Sequence, residues 1–214
     1  MNITIFGANG AIGKLVTNHA LKNGDSVTAY VRRPDSMERS HNNLIIMVGD
    51  LSNQSLIEKA IENADVVIST LGPALDTSRK LKGSPIADGH EKIINAMEKL
   101  GKKRFITLAT PSIHSEDDRK QFWTVVPGII AKILFPNGYQ EMIKIGQLLK
   151  KSSLDWTVVR IINPNAKHRN NAYGISLGDK PVKMAVSREN VGAFMYRVAS
   201  DNLYIKKMPI VFNK

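Results

Sequence analysis

Hydrophobic positions along this chain fall into two alternating periods. Short apolar runs, the pattern of strands buried on both faces, occur at Ile3–Phe6, Ser26–Val31, Leu44–Val48, Asp65–Ser69, Arg104–Leu108 and Trp156–Arg160, with a late one at Pro209–Phe212. Between them lie segments of helical period. Ala11–Leu21 closes on the turn Lys22-Asn23-Gly24-Asp25, and Asn53–Ile61 takes Ser52 as its N-cap. Asp88–Leu100 stops at Gly101, and Tyr139–Lys151 and Arg188–Ala199 complete the set. Strands that alternate with helices predict an α/β fold: a doubly wound parallel sheet in three layers, helices on both faces. A length of 214 residues suits one core, so a single domain over 1–214 is expected.

Composition changes this picture little, and charge changes it more. The chain is 43% hydrophobic and 23% charged, as ordinary globular proteins are. No run approaches the ~18 apolar residues of a membrane span, and Asn2–Phe6 is too short for the apolar core of a signal peptide. Zero cysteines exclude disulfides, thiol catalysis and thiolate metal sites, which fits a cytoplasmic protein. The net charge of +11 raises nucleic acid as a partner. The basic residues are dispersed, however, in Arg32–Arg33, Lys80–Lys82, Lys102–Arg104, Lys150–Lys151 and Lys206–Lys207, with no basic helix face or nucleic-acid motif. Steering of an anionic cofactor or substrate accounts for the charge more economically.

Candidate chemistry begins at ITIFGANGAIGKLV, residues 3–16, where the first strand empties into three glycines. A P-loop needs four residues between its outer glycines and a hydroxyl after the lysine. Here Gly7 and Gly13 enclose five residues and Leu15 follows Lys14, so both requirements fail. What stands is Gly7-x-x-Gly10-x-x-Gly13, opening a helix inside a βαβ unit. Those are the glycines of a dinucleotide loop: one for the turn, one for close approach of backbone to pyrophosphate, one for helix–sheet packing. Asn9, Ala11 and Ile12 complete the loop, and the helix N-terminus offers free N–H groups to phosphate.

The end of the second strand selects the cofactor. NAD proteins place an acid there for the ribose 2′-OH. This chain has Arg32-Arg33 and no acid before Asp35, which favours NADP(H) with the two guanidinium groups on the 2′-phosphate. Asp50-Leu51 would meet the adenine, and Leu71-Gly72 would pass under the ribose and nicotinamide.

GANGAIGKLV (7–16), VRRP (31–34), GDL (49–51), ADVVISTLG (64–72), KRFITLATPS (103–112) and SSLDWTVVR (152–160) together resemble the atypical short-chain dehydrogenase/reductase superfamily. The likeness is to its small NAD(P)-binding members, which include flavin reductases of the biliverdin reductase B type and NADP-sensing co-regulators. It covers nearly the whole chain. It implies a Rossmann sheet with the nicotinamide at the carboxyl ends of the fourth to sixth strands.

The superfamily's Tyr-x-x-x-Lys pair is missing: four residues after Tyr30, Tyr139, Tyr173, Tyr196 and Tyr204 stand Pro34, Ile143, Leu177, Ser200 and Met208. Tyr139 with Lys144 imitates it at a five-residue step, off one helical face. Direct hydride transfer to a flavin, quinone or related carbonyl asks less of the protein, because the cofactor carries the chemistry. A non-catalytic NADP(H)-binding sensor is the other reading the missing pair leaves open. The pocket is expected from residues 110–140 and 160–185. Thr110 and Arg160 would serve the cofactor end, and Ser112, His114 and Tyr139 are the candidates for catalysis. Ser112 reads equally as a turn serine and His114 as a solvated loop residue. No metal-ligand spacing occurs among the histidines.

The segment QFWTVVPGIIAKILFPNGYQ, residues 121–140, is strongly apolar, interrupted by Pro127, Gly128 and Pro136. It reads as a lid or interaction surface, or more plainly as a core helix or subunit contact. A membrane surface is not expected, because the segment lacks a good polar face. The partners expected are therefore a small-molecule substrate and either a second copy or a protein partner.

Overall fold

In the computed structural model, which describes residues 1–33, 41–73, 77, 83–168 and 170–214, the alternating pattern becomes one sheet. Among the described residues eight strands hydrogen-bond in the order β3-β2-β1-β4-β5-β6-β8-β7, with six helices around them. The strands are β1 (Asn2–Phe6), β2 (Ser26–Val31), β3 (Leu44–Val48), β4 (Val66–Ser69), β5 (Arg104–Ala109), β6 (Asp155–Arg160), β7 (Tyr173–Ser176) and β8 (Ile210–Asn213). The helices are α1 (Ala11–Lys22), α2 (Gln54–Ile61), α3 (Pro85–Lys99), α4 (Phe122–Leu134), α5 (Pro136–Lys151) and α6 (Arg188–Ser200).

All pairings are parallel except β7 with β8. The order reverses between β1 and β4, and the carboxyl ends of strands at such a reversal leave a crevice. Each face of the sheet buries its own apolar layer. Ile57, Ile93, Met97, Phe105, Ile145 and Leu149 fill one side, under α2, α3 and α5. Ile5, Val16, Ile68, Ile106, Phe194 and Val198 fill the other, under α1 and α6. The buried Arg104 ties α6 to the sheet, donating to the Val198 and Leu203 carbonyl oxygens at 3.0 and 2.7 Å, which answers carbonyls a helix end leaves open.

Several boundaries differ from the sequence pattern, each for a local reason. The N-cap of α2 is Asn53, whose side chain accepts from the Leu56 N–H at 3.0 Å; Ser52 instead turns back on Asp50. α3 starts three residues earlier than Asp88, at Pro85, because proline suits the first helical position. The 121–140 segment is helical. Pro127 is carried inside α4, and Pro136 opens α5 at its first turn. β7 has no counterpart in the apolar pattern. It is a short edge strand in which Gly174 lies against the Phe212 ring, where an added Cβ would come within 2.4 Å. No helix among the described residues is long and apolar enough to cross a membrane.

Candidate functional site

The glycine loop is built by its own backbone. Gly7 has φ +79°, a left-handed conformation that side chains rarely adopt, and the Gly10 N–H donates back to the Gly7 carbonyl at 2.9 Å. At Gly13 an added Cβ would lie 2.2 Å from that same oxygen, so only glycine lets α1 approach the loop. Thr70, just beyond β4, clamps the turn from the side, its hydroxyl donating to the Phe6 and Gly7 carbonyl oxygens at 3.2 and 3.0 Å. Gly10 caps α1 without a side-chain hydrogen bond, and the first turn holds no acid. The N–H groups there are therefore left for a ligand. Asn9 adds an amide whose Oδ1 position is buried with no partner. Since the two ends of an amide have the same shape, that end can equally present N–H to phosphate.

The loop opens onto a cleft of about 310 Å³ at the strand-order reversal. Gly7, Asn9, Gly10, Arg32, Arg33, Asp50, Leu51, Leu71 and Gly72 line it, together with Tyr30, Val31, Gly49 and Ile86. Its volume sits at the lower end of the roughly 300–1,000 Å³ typical of ligand pockets. Arg32 and Arg33 are exposed at its edge, directly after β2. Asp35 and the Lys80–Lys82 cluster lie outside the described residues.

Two residues that the sequence pattern treats as ordinary strand and turn positions shape the floor. The Tyr30 hydroxyl donates to the Asp50 carbonyl at 2.8 Å, fixing the loop after β3 to the end of β2. Burial, reinforced by the Asp50 charge, pushes that phenol up to about 12, so it stays protonated and acts as a strut. Gly49 is required beneath it, because an added Cβ would stand 2.3 Å from the Tyr30 oxygen. Asp50 spends one carboxylate oxygen on the Ser52 N–H at 2.7 Å and on the Ser52 hydroxyl, and these bonds hold its carboxyl below the usual range. Leu51 is pressed against α3 at Gly89, where a Cβ would meet it at 2.6 Å.

A buried histidine supports the other wall. His90 sits inside α3 with no exposure, Nδ1 2.8 Å from the Ile86 carbonyl and Nε2 3.0 and 3.1 Å from the Ser69 and Thr107 hydroxyls. The carbonyl accepts from Nδ1–H, which leaves Nε2 to accept from the hydroxyls, so the ring is neutral; burial lowers it to about 4. Ser69 Oγ in turn accepts from the Leu71 N–H at 3.4 Å, at the start of the Leu71-Gly72 segment. Among the described residues no atom comes within 4 Å of where a Cβ on Gly72 would be.

The remaining candidates do not join the cleft. Ala11 and Ile12 begin α1 behind the loop, and Gly13 packs beneath it. Thr110 donates to Ser112 at 3.1 Å, and Ser112 is buried in that turn. His114 is exposed, its Nδ1 4.0 Å from Asp118. Tyr139 is half-buried on α5, while Lys144 reaches Ser84 at 2.6 Å, so this pair's lysine is engaged elsewhere. Arg160 is wholly buried and away from the cleft. Its guanidinium grips Asp118 in two bonds of 2.6 and 2.7 Å and also donates to the Met208 and Ile113 carbonyl oxygens. The N-terminus of α3, which contributes Ile86 to the cleft, is already closed by Glu141. That carboxylate accepts from the Ile86 and Ala87 N–H groups at 3.2 and 2.6 Å.

Known proteins resemble this arrangement. A short-chain dehydrogenase/reductase from Veillonella parvula, solved in complex with NADP, superposes with a TM-score of 0.80 at 19% identity, over 99% of this chain and 94% of that one. ChuY of Escherichia coli O157:H7, an anaerobilin reductase, gives 0.79 at 20% identity, over 100% and 97%. At such identities the likeness is one of fold. Among sequences, the UPF0659 protein of Saccharomyces cerevisiae is 26% identical over 97% of this chain and 91% of its own length. Phenylcoumaran benzylic ether reductase 1 of Arabidopsis thaliana is 25% identical over 96% and 67%. An isoflavone reductase homologue of Nicotiana glauca is 33% identical over 49% of this chain, which spans only a third of that relative. A family model described as NAD(P)H-binding matches residues 7–202, from the glycine loop to the end of α6, and the chain belongs to that family.

Proposed function

We propose that this protein is an NADPH-dependent reductase that passes hydride directly to a small planar acceptor, a flavin, a quinone or a related carbonyl. The observation that carries the reading is the pair Arg32 and Arg33 on the rim of the glycine-loop cleft, where no described acid lines the second-strand side except Asp50. Arginine forks match a phosphate, and a ribose 2′-hydroxyl calls for a carboxylate instead. The residues fit the cofactor: an uncapped helix end, the unpaired buried end of Asn9, a glycine turn, and a Gly72 that no described atom crowds.

When bound, the nicotinamide would supply the hydride. The chain's own residues bind and orient. Gly10, Asn9 and the first turn of α1 would hold the pyrophosphate, Arg32 and Arg33 the 2′-phosphate, Asp50 and Leu51 the adenine, and Leu71 and Gly72 the ribose that follows. Of the three candidates for moving a proton, His114 has the most open access to water, since Ser112 is buried and Tyr139 half-buried. Water itself can protonate a reduced flavin or quinone, so this chemistry does not require the absent tyrosine–lysine pair.

The second reading, an NADP(H) sensor without turnover, is favoured by one observation: none of Ser112, His114 and Tyr139 lines the cleft. One pair of measurements separates the two. NADPH and NADH are titrated by fluorescence, then cofactor absorbance is followed with FMN, quinones and simple carbonyls. Turnover on a planar acceptor supports the reductase; tight NADPH binding with no turnover on any of them supports the sensor. Arg32→Ala should weaken NADPH binding by about tenfold or more, one charge-assisted contact being worth about 1.5–3 kcal/mol, and leave NADH binding nearly unchanged. Equal loss for both cofactors would overturn the role given to Arg32.

A further inference from the structure

α4 presents its faces the opposite way round from an ordinary surface helix. Its buried residues are Thr124 and Gly128, one turn apart, and Gly128 lies over the Pro111–Ser112 backbone, where a Cβ would be 3.9 Å from each. The large apolar side chains look outward: Phe122 is 60% exposed, Ile129 51%, Ile130 46%, Ile133 62% and Leu134 50%. Advancing 100° per residue, these positions and Val125 cover about half of the helix circumference. A continuous apolar face of this kind marks a surface that another body covers.

Charge tells what that body is. From Arg119 to Gln140 the charged residues are Arg119, Lys120 and Lys132, three cations and no acid. All three are exposed, two just before the helix and one on its flank between the turns of Ile129 and Ile133. The exposed Asp179, whose carbonyl accepts from the Gln121 amide at the start of α4, is offset by the adjacent exposed Lys180. The whole chain carries +11. Two copies meeting through α4 would bring rims of the same sign together, whereas an anionic surface complements the rim and the net charge alike.

We propose that α4 docks on an anionic phospholipid surface. Its apolar face would enter the boundary between headgroups and acyl chains, and Arg119, Lys120 and Lys132 would meet the headgroups. The features that argue against a membrane surface in the bare sequence do not hold in the fold. Pro127 is carried within α4, Pro136 begins the next helix, and the polar side that an isolated helix would need is supplied by the protein beneath. The proposal concerns binding alone and stands apart from the reductase reading.

Co-sedimentation with vesicles tests it, comparing phosphatidylcholine alone with phosphatidylcholine containing phosphatidylserine, while sedimentation velocity reports the oligomeric state without lipid. The wild-type protein should pellet with the phosphatidylserine vesicles, and raised salt should weaken this as the screening length falls from about 10 Å at 0.1 M to about 3 Å at 1 M. The double variant Ile129→Glu/Ile133→Glu should lose at least about tenfold in partition, from the apolar area it withholds. Its melting curve should match that of wild type, because both positions are exposed. Lys120→Glu/Lys132→Glu should weaken binding to the phosphatidylserine vesicles selectively. Failure to pellet with those vesicles, or equal binding by the isoleucine double variant, overturns the proposal. So does a dimer that the isoleucine variant dissociates in the absence of vesicle binding, which would assign the face to a second copy.

Discussion

A Cβ at position 13 would lie 2.2 Å from the Gly7 carbonyl oxygen and 2.9 Å from Ala8 Cα, both backbone atoms that cannot swing aside. Gly13→Ala must therefore push α1 off the loop. Overpacking of this kind costs about 1–3 kcal/mol, and the loop's grip on a dinucleotide should fall with it. A lowered denaturation midpoint together with weakened NADPH fluorescence is the expected pair of results. Spacing alone makes Gly13 legible, because the motif is written in backbone geometry. His90 is the contrary case: nothing around GHEKII distinguishes a buried, hydroxyl-bonded imidazole from a solvated one. In the fold its pKa drops from 6.5 to about 4, so between those values the unfolded chain binds a proton that the native protein does not. Its contribution is thus complete above about pH 6.5 and is lost as pH falls toward 4, by up to about 3 kcal/mol at ~1.4 kcal/mol per pH unit. Thermal melts across that window should fall more steeply for wild type than for His90→Gln. Parallel slopes would show that the imidazole is not held neutral.

At the scale of elements, long apolar runs were legible and contacts between elements were not. β1 to β6 follow from unbroken hydrophobic stretches, since a strand covered on both sides has few polar positions to interrupt it. α4 stands in the sequence only as an apolar segment, a core helix being one of its readings, because a helix apolar over half of its circumference shows little period, and Pro127 and the Pro136 that follows look like breaks when read without a fold. The capping of α3 escaped because it comes from another helix. Glu141 of α5 stands 54 residues along the chain from Ala87, and no local signature links the two. That carboxylate answers two N–H groups that a helix end would otherwise bury unpaired, and its charge suits the positive end of the helix. Glu141→Ala should cost about 1–3 kcal/mol by urea denaturation, whereas Glu141→Gln, which keeps one acceptor oxygen, should recover part of the loss. Because Ile86 on that first turn also lines the cleft, the alanine variant should in addition weaken NADPH binding.

For the molecule as a whole, the strand order places a crevice between β1 and β4, and the glycine loop, the β2 end and the β4 end converge there. Arg160 shows how much that logic leaves to contacts distant in the chain. A charged residue ending a central strand resembles a site residue, and in the fold its guanidinium pairs with Asp118, 42 residues away on the loop after β5. Folded, Arg160 joins β6, the segment leading into β8 and the loop after β5 into one buried cluster, with Met208, Ile113 and Asp118 all accepting from it. Removing one member of such a pair strands a charge inside the protein, so Asp118→Ala should destabilise by about 3–5 kcal/mol. Replacing both, Asp118→Leu with Arg160→Met, should restore much of that stability, because no buried charge then remains to be compensated. The same variants decide what Arg160 is for. If it is a staple, the double variant that folds will bind NADPH as the wild type does, measured by fluorescence titration below its unfolding transition. If Arg160 touches the cofactor, affinity will drop in the double variant even where its stability has returned.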